Sequence, residues 1–369
     1  MKFIHIADVH LGAEPDAGRA YSASRGREIW DSLARVVKAC NKEKADLLLI
    51  AGDLFHRQPL LRELKELRDL FGTLKATQVV LIAGNHDYLK RDSYYRTFVW
   101  GENVHMILGG QISAVELPKL SAAVYGLSYY GREITERLYD QELPKKRQKY
   151  EILLAHGGDE RHIPIRKEKL NALGYDYIAL GHIHRPQDMD NGNAPQKGGN
   201  GFLGGQAVES RMAYSGALEP IDKNDIGCHG YILGEMTKER CRIRFVPCAL
   251  REYVHLDVAV GKKMTNRGLK ACIREQIEAA GTQNVYKVTV KGFHDPDVLF
   301  DLTDMDTYGN IIELLDESKP EYDFQKLLAQ NRGDLLGKYI ESLMDYDKDS
   351  VEYLALCEGV QALIETSRG

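Results

Sequence analysis

Seven residues whose side chains hold metal ions well, Asp8, His10, Asp53, Asn85, His156, His182 and His184, stand at the ends of five apolar runs. Asp8-Val9-His10 and His182-Ile183-His184 each place two such groups at i and i+2, so in an extended chain both side chains point the same way. Glycine adjoins the other positions, in Gly52-Asp53, Gly84-Asn85, His156-Gly157-Gly158 and Gly181-His182. Without a Cβ the backbone turns sharply there and brings a ligand close to an ion. Four histidines, two aspartates and one asparagine exceed what one ion needs. With one carboxylate shared, they supply about four protein ligands to each of two ions and leave room for water or substrate. Asp53 is the candidate bridge, since a carboxylate has two oxygens and neutralises both cations at once. One ion then takes Asp8, His10, Asp53 and His184, and the other Asp53, Asn85, His156 and His182. Mixed imidazole and oxygen donors suit Mn²⁺, Fe or Zn²⁺ better than Mg²⁺ or Ca²⁺.

Two ions roughly 3.5–4 Å apart acidify a water between them and neutralise charge growing on a phosphoryl group, which makes phosphoester hydrolysis the natural reaction class. His86 adjoins Asn85 but is not needed as a ligand. It is therefore free to protonate or hydrogen-bond a leaving oxygen, with Asp87 expected to hold its ring. His56, three residues after Asp53, is expected to orient His86 or touch a phosphate.

The elements that must carry these groups are strands. Runs 3–7, 47–52, 79–84, 152–155 and 177–181 are predominantly apolar and read as buried strands, predicted to lie parallel in one sheet whose carboxyl ends share an edge. Between them Ile29, Leu33, Val36, Val37 and Cys40, and then Leu60, Leu64, Leu67, Phe71 and Leu74, recur at helical spacing. Strand and helix alternate, an α/β pattern that places helices on both faces of the sheet. Residues 190–209 are rich in Gly, Asn and Gln and read as a flexible surface insertion near the site mouth. After about residue 250 a strand at 253–260, a helix near 269–280 and a strand at 285–290 suggest a separate α+β accessory domain. The final stripe of Tyr353, Leu356, Cys357, Val360, Leu363 and Ile364 is expected to pack on the chain's own core.

A length of 369 residues fits two domains, placed here at 1–250 and 251–369. No apolar run approaches the roughly 18 residues of a membrane span, and no cleavable signal pattern follows Met1-Lys2, so a soluble cytoplasmic protein is expected, with no membrane partner. Six cysteines without a CxxC pair indicate reduced thiols. The net charge of −5 hides an asymmetry: 35 Lys+Arg against 32 Asp+Glu up to residue 250, then 14 against 22. Basic clusters at Lys145-Lys146-Arg147-Gln148-Lys149 and at Arg161, Arg166, Lys167 and Lys169 are candidate phosphate contacts, set against the plainer reading of a solvated face.

Asp8-Val9-His10, Gly52-Asp53, Gly84-Asn85-His86-Asp87, His156 and Gly181-His182-Ile183-His184 together resemble the five-part signature of the calcineurin-like metallophosphoesterases. Within that superfamily, Gly52-Asp53-Leu54-Phe55-His56 and the stretch Tyr214-Ser215-Gly216-Ala217-Leu218-Glu219 followed by Gly230-Tyr231 are similar to the SbcD nucleases of DNA repair. The resemblance covers residues 1 to about 250; the remainder resembles the family's capping domain loosely and is nearest the YhaO-like branch. It implies a β-sandwich flanked by helices in four layers, α/β/β/α, with a smaller α+β capping domain. It also implies a Mn²⁺-dependent exo- and endonuclease acting on DNA in double-strand break repair, as a homodimer with an SbcC-type coiled-coil ATPase. By position His86 becomes the acid or transition-state stabiliser and His56 its supporting histidine. The insertion at 190–209 and the acidic C-terminal part depart from the family pattern. Two other readings share these residues: a metallophosphatase acting on a nucleotide or small phosphoester, and a non-catalytic scaffold, against which every ligand position and His86 are present.

Overall fold

An unbroken run of Leu, Ile and Val is what a strand looks like when both of its faces are covered. The computed structural model describes residues 1–191, 202–348 and 350–368, and it builds strands from all five ligand-bearing runs. The chain forms two compact units, Met1–Tyr253 and Val254–Gly369.

The first unit contains strands β1 (Lys2–Ile6), β2 (Leu47–Ala51), β3 (Gln78–Ile82), β4 (Val104–Met106), β5 (Ser113–Leu117), β6 (Ala122–Gly126), β7 (Tyr150–His156), β8 (Tyr177–Gly181), β9 (Gln187–Asp188), β10 (Val208–Glu209), β11 (Met212–Tyr214), β12 (Gly230–Met236) and β13 (Cys241–Pro247). Its helices are α1 (Ser22–Glu43), α2 (Leu61–Phe71) and α3 (Lys167–Ala172). One sheet has the order β10-β13-β12-β1-β2-β3-β4, parallel from β1 to β4 and antiparallel beyond β1. The other has the order β5-β6-β7-β8-β11-β9, parallel from β6 to β11 with antiparallel edges.

The ligand-bearing strands are thus divided between two sheets, as the four-layer resemblance implied, and do not share the one sheet that the apolar runs alone suggested. Side chains alternate along each strand. Phe3, Leu47, Leu49, Ala51, Val80 and Ile82 of the first sheet meet Val124, Ile152, Leu154, Tyr177 and Ala179 of the second in one buried core. Ile4, Ile6, Leu48, Ile50, Val79 and Leu81 point the other way, onto α1 and α2. Leu153, Ala155, Ile178 and Leu180 pack outward with Leu170 of α3. The layers are helix, sheet, sheet, helix. An apolar run announces that both faces are buried but does not say whether a helix or a second sheet covers them.

Smaller departures have local causes. Leu60 is the residue before α2 and stands half-exposed, while Leu74 lies beyond the helix and is buried. Of the predicted insertion, residues 192–201, including Gly198-Gly199-Asn200-Gly201, lie outside the described residues. Its later part is anchored: Phe202 is buried in the inter-sheet core, 5.9 Å from the Phe245 ring, and Val208 and Glu209 pair with β13.

The second unit joins β14 (Tyr253–Val260), β15 (Val285–His294) and β16 (Ile311–Asp316) in a sheet, with β17 (Lys319–Pro320) paired to β15. Helix α4 (Asn266–Ala280), capped by the Thr265 hydroxyl on the Gly268 amide, buries Leu269, Ile273 and Ile277 against Val258, Val288 and Val290. Helices α5 (Phe324–Gln330), α6 (Leu335–Leu343) and α7 (Val351–Arg368) follow, and Leu356 and Val360 of α7 pack on Ile340. The C-terminal stripe serves its own unit. Among the described residues no helix is long and apolar enough to cross a membrane. All six cysteines are free thiols.

One polar group sits inside the inter-sheet layer. His5, on the same face of β1 as Phe3, is fully buried with Nδ1 3.0 Å from the Tyr177 hydroxyl, and burial pushes its imidazole down to about 3. Below an ordinary histidine value of about 6.5 the unfolded chain takes up a proton that the folded chain refuses, so the fold loses stability as pH falls. His5→Gln removes that dependence. Denaturant titrations are expected to show a wild-type-minus-variant difference that is constant above pH 7 and shifts in the variant's favour by up to about 1.4 kcal/mol per pH unit below pH 6. A pH-independent difference would refute the assignment.

Candidate metal centre

All seven ligand-type residues arrive at the same edge of the sandwich, where the carboxyl ends of β1, β2, β3, β7 and β8 lie. The strand ends are stitched together by the backbone: the Asp8 amide donates to Gly52 O (3.1 Å), the His10 amide to Asp53 O (3.1 Å) and the Gly157 amide to Gly181 O (3.1 Å). Asp8, His10, Asp53 and His182 have φ of 50°, 53°, 49° and 94°. Positive φ is rare for residues with a Cβ and is tolerated where the surroundings impose it. The two i, i+2 triplets are therefore kinked where an extended chain was expected. The kink at His182 turns its amide onto the Asp8 carboxylate, at 3.1 and 2.9 Å. A Cβ at Gly84 would collide with the Asp53 carboxylate, and one at Gly181 would collide with Ala51 O and approach His156 Nδ1 at 2.9 Å.

The side chains close on one another. His10 Nε2 lies 3.1 Å from His184 Nε2, and Asp8 completes that group. His156 Nε2 lies 2.9 Å from Asn85 Oδ1 and 3.4 Å from Asp53 Oδ2, while His182 Nδ1 is 3.2 Å from Asn85 Oδ1. Asp8, Asp53 and His156 also converge. Asp8 thus borders both halves of the centre, and Asp53 stands beside it and His156.

The outer ring nitrogens show what the inner ones are prepared for. His156 Nδ1 is 2.9 Å from Ala51 O, His182 Nε2 2.7 Å from Asp159 Oδ2, and His184 Nδ1 3.1 and 3.0 Å from the two Asp225 oxygens. Each outer nitrogen faces an acceptor and so donates its N–H. Each inner nitrogen of a neutral ring is then a lone pair. At His156 and His182 that lone pair faces oxygen acceptors, an arrangement that repels unless a proton or a cation lies between. The donor set fits two divalent cations, with imidazole and carboxylate donors braced by outer hydrogen bonds.

Without cations, protons fill the role at His156 and His184 but not at His182. Burial alone would lower the His156 imidazole, but the charge and hydrogen bond of Asp53 override it and push it up to about 9. Burial is likewise outweighed at His184, by the Asp225 hydrogen bond and the Asp8 charge, again up to about 9. Burial raises Asp8 to about 6, while the charge of His156 holds Asp53 below the usual carboxylate range despite burial. His182 falls to about 4 through burial and the nearby His156 charge.

His86 and His56 stand beside this group, with ring centroids 4.8 Å apart. His86 Nδ1 lies 3.1 Å from the main-chain oxygen of His56, and the His86 amide donates to Asp53 Oδ1 at 2.8 Å. The backbone of His56 therefore orients His86, while the His56 imidazole faces His10, Nδ1 to Nδ1 at 3.4 Å. Asp87 does not hold the His86 ring. It is fully buried and accepts from the Gly84 amide (2.8 Å), the Phe55 amide (3.2 Å) and the Tyr95 hydroxyl (2.8 Å), locking the 84–87 turn to the 53–56 turn.

The two basic clusters fare differently. Lys145 to Lys149 precede β7, whose other end carries His156, so about 20 Å of strand separates them from the centre. Of the second cluster, Arg161 pairs with Glu133 at 3.8 Å, Arg166 precedes α3, and Lys167 and Lys169 lie within that helix. Sequence reasoning missed Asp159, Asp225 and Tyr129, whose hydroxyl donates to His156 O at 3.0 Å. Asp159 had a faint signal, three residues after His156. Asp225 is 41 positions from His184 and had none.

Residues 1–186 match the family described as calcineurin-like phosphoesterase. Among similar proteins, the uncharacterized metallophosphoesterase YhaO of Bacillus subtilis is 27% identical over 290 residues, 72% of this chain and 65% of that protein. The DNA double-strand break repair protein Mre11 of Methanocaldococcus jannaschii is 28% identical, covering 61% of this chain and 58% of its own length. The SbcD component of the SbcCD nuclease of Staphylococcus epidermidis is 25% identical, covering 52% and 59% respectively. The chain therefore spans less than two thirds of the length of these relatives.

Removing Asp53 should break the centre at its middle. Metal analysis after loading and dialysis is expected to find at least one ion fewer in Asp53→Ala than in wild type. Gly84→Ala, which adds only a methyl group pressing on Asp53, should also lower the metal content, and full loading of both variants would contradict the geometry.

Proposed function

The chain belongs to the calcineurin-like phosphoesterase family, and on that premise we propose that Met1–Tyr253 is a two-metal phosphodiesterase unit that cuts DNA. The observation that carries this reading is the convergence of seven donors at one sandwich edge, with one further imidazole, His86, beside them and not required as a ligand. Two cations held by Asp8, His10, Asp53, Asn85, His156, His182 and His184 would supply an acidified water and charge neutralisation at the phosphoryl oxygens. The chain's own groups do the rest. Asp159, Ala51 O and Asp225 hold the outer N–H groups of His182, His156 and His184, which keeps their inner nitrogens turned toward the centre. His56 O holds His86 Nδ1–H, leaving Nε2 as the atom that passes a proton to the leaving oxygen. His56, through its imidazole against His10, supports that side of the site.

Mn²⁺ is the proposed metal, with Fe or Zn²⁺ compatible with the same donors. DNA as substrate is supported by the likeness to Mre11, a DNA double-strand break repair protein, and to the SbcCD nuclease. A homodimer working with a coiled-coil ATPase of the SbcC type is the proposed assembly, and Val254–Gly369 is the proposed accessory domain. The alternative, a phosphatase for nucleotides or other small phosphoesters, uses the same centre.

His86→Ala is expected to abolish hydrolysis with metal content near wild type; undiminished turnover would show the acid role to be misassigned. Mn²⁺-loaded protein given duplex DNA and nucleotide monoesters in parallel should degrade the DNA. DNA left intact while monoesters are cleaved would favour the phosphatase. Co-purification with a large coiled-coil ATPase tests the assembly.

A further inference from the structure

The two histidines of His182-Ile183-His184 are braced through opposite ring nitrogens. His184 is held at Nδ1 and presents Nε2, which lies 3.1 Å from His10 Nε2. His182 is held at Nε2 and presents Nδ1, 3.2 Å from Asn85 Oδ1. A lone histidine in water interconverts its two tautomers freely; a carboxylate on one nitrogen fixes which nitrogen keeps the proton and which offers a lone pair.

The two braces are built differently. Asp225 places both oxygens on His184 and also accepts the Ile221 amide at 3.0 Å and the Asp222 amide at 3.2 Å. The chain just before it is pinned where buried Arg25 donates to Pro220 O at 2.6 Å. Asp159 stands on a surface turn that its own carboxylate caps, accepting the amides of Arg161 (2.8 Å) and His162 (2.9 Å). It divides its charge between His182 Nε2 and His162 Nδ1, the latter 2.9 Å from each oxygen. Asp225 is nearly enclosed, with a side chain 11% exposed, whereas that of Asp159 is 48% exposed.

We propose that Asp159 and Asp225 are positioning residues that lock opposite tautomers in the His182-Ile183-His184 triplet, so that each carboxylate governs one cation and not the other. Asp225 acts on the cation shared by Asp8, His10 and His184, and Asp159 on the cation shared by Asn85, His156 and His182. The inference rests on the two-cation reading proposed above. Neither carboxylate touches the centre itself, so each acts wholly through the ring it holds.

The test is calorimetric titration of the metal-free full chain with Zn²⁺ alone, joined to nitrogen NMR of histidine-labelled protein loaded with Zn²⁺. His182→Gln and His184→Gln spectra assign the two rings. In wild type, His184 should carry its proton on Nδ1 and His182 on Nε2. Asp159→Ala and Asp225→Ala should each weaken one of two binding events by about 10–100-fold and leave the other unchanged. The double variant should weaken both. Because Asp225 also holds two amides, Asp225→Asn keeps an acceptor there, and it should give a smaller weakening of the same event. His162→Ala, which removes only the second claimant on Asp159, should leave both events in place. The same tautomer at both rings, or unchanged affinities in folded Asp159→Ala and Asp225→Asn, overturns the proposal. Wild-type protein that binds no divalent cation would sink the two-cation reading and this inference with it; two wild-type events with insensitive variants sink this inference alone.

Discussion

Two carboxylates buried beside each other set the terms for everything around them. Asp8 is fully buried and Asp53 nearly so; burial raises the Asp8 carboxyl and the charge of Asp53 adds to it, against the larger pull of His156 and His184 in the other direction. An anion taken out of water costs several kcal/mol even after the protein relaxes around it, and a second one nearby adds repulsion. The fold answers with every donor it can bring to the spot. The amides of His182 and His86 point at Asp8 and Asp53, and the imidazoles of His10, His156 and His184 close around the pair. The raised values of His156 and His184 are the same electrostatics seen from the other partner: the pocket demands positive charge, and protons supply it where cations do not.

Asp8 and Asp53 end adjacent strands of one sheet, and bringing His156 and His182 to them from the other requires that the sheets approach closely at this edge. Ala51 O marks a point of close approach. It accepts the His156 N–H from the opposite sheet and lies where a Cβ on residue 181 would otherwise fall. Glycine at 181 is thus a condition of the sandwich closing over the site, and glycine at 84 a condition of Asp53 reaching it. The left-handed backbone at Asp8, His10, Asp53 and His182 is strain of the kind that persists only where surrounding contacts over-determine it. Those contacts are on hand in the inter-strand hydrogen bonds of the strand ends and in Asp87, buried at the junction of two turns and raised to about 7 by burial and by the Asp53 charge.

A second tier of ion pairs braces the segment from 219 to 225. Glu219 meets Arg25 at 3.5 Å and accepts from the Ser32 hydroxyl of α1, and Glu28 binds both Arg25 and Arg251 at 2.6 Å. Arg25 is fully buried and Arg251 mostly so, which makes this a low-dielectric network that depends on keeping every partner. Its product is a rigid platform for Asp225 behind His184. The first and second tiers share one logic, in which each buried charge is placed where another group needs it.

Much of the centre was legible in the linear chain, because strand-end positions in parallel α/β layers gather at one edge whatever their separation in sequence. The apolar runs, the glycines beside the ligands and the excess of ligands over the needs of one ion all belong to local sequence. The alternation of side chains that sorts Leu47, Leu49 and Ala51 from Leu48 and Ile50 was equally present, but which layer each set would meet was not. A covered face reads the same under a helix as under a second sheet. Only the tertiary structure decided that β7 and β8 lie across from β1, β2 and β3, that Asp87 braces a turn and leaves His86 to the His56 carbonyl, and that Lys145 to Lys149 stand at the opposite end of β7 from the site. It also decided which nitrogen of each histidine is free, since that depends on carboxylates such as Asp225 that come near only when the chain folds. Which side chains stand at the strand ends is a property of residue type and strand position, both written along the chain, whereas how each ring is oriented is set by long-range hydrogen bonds that have no sequence pattern.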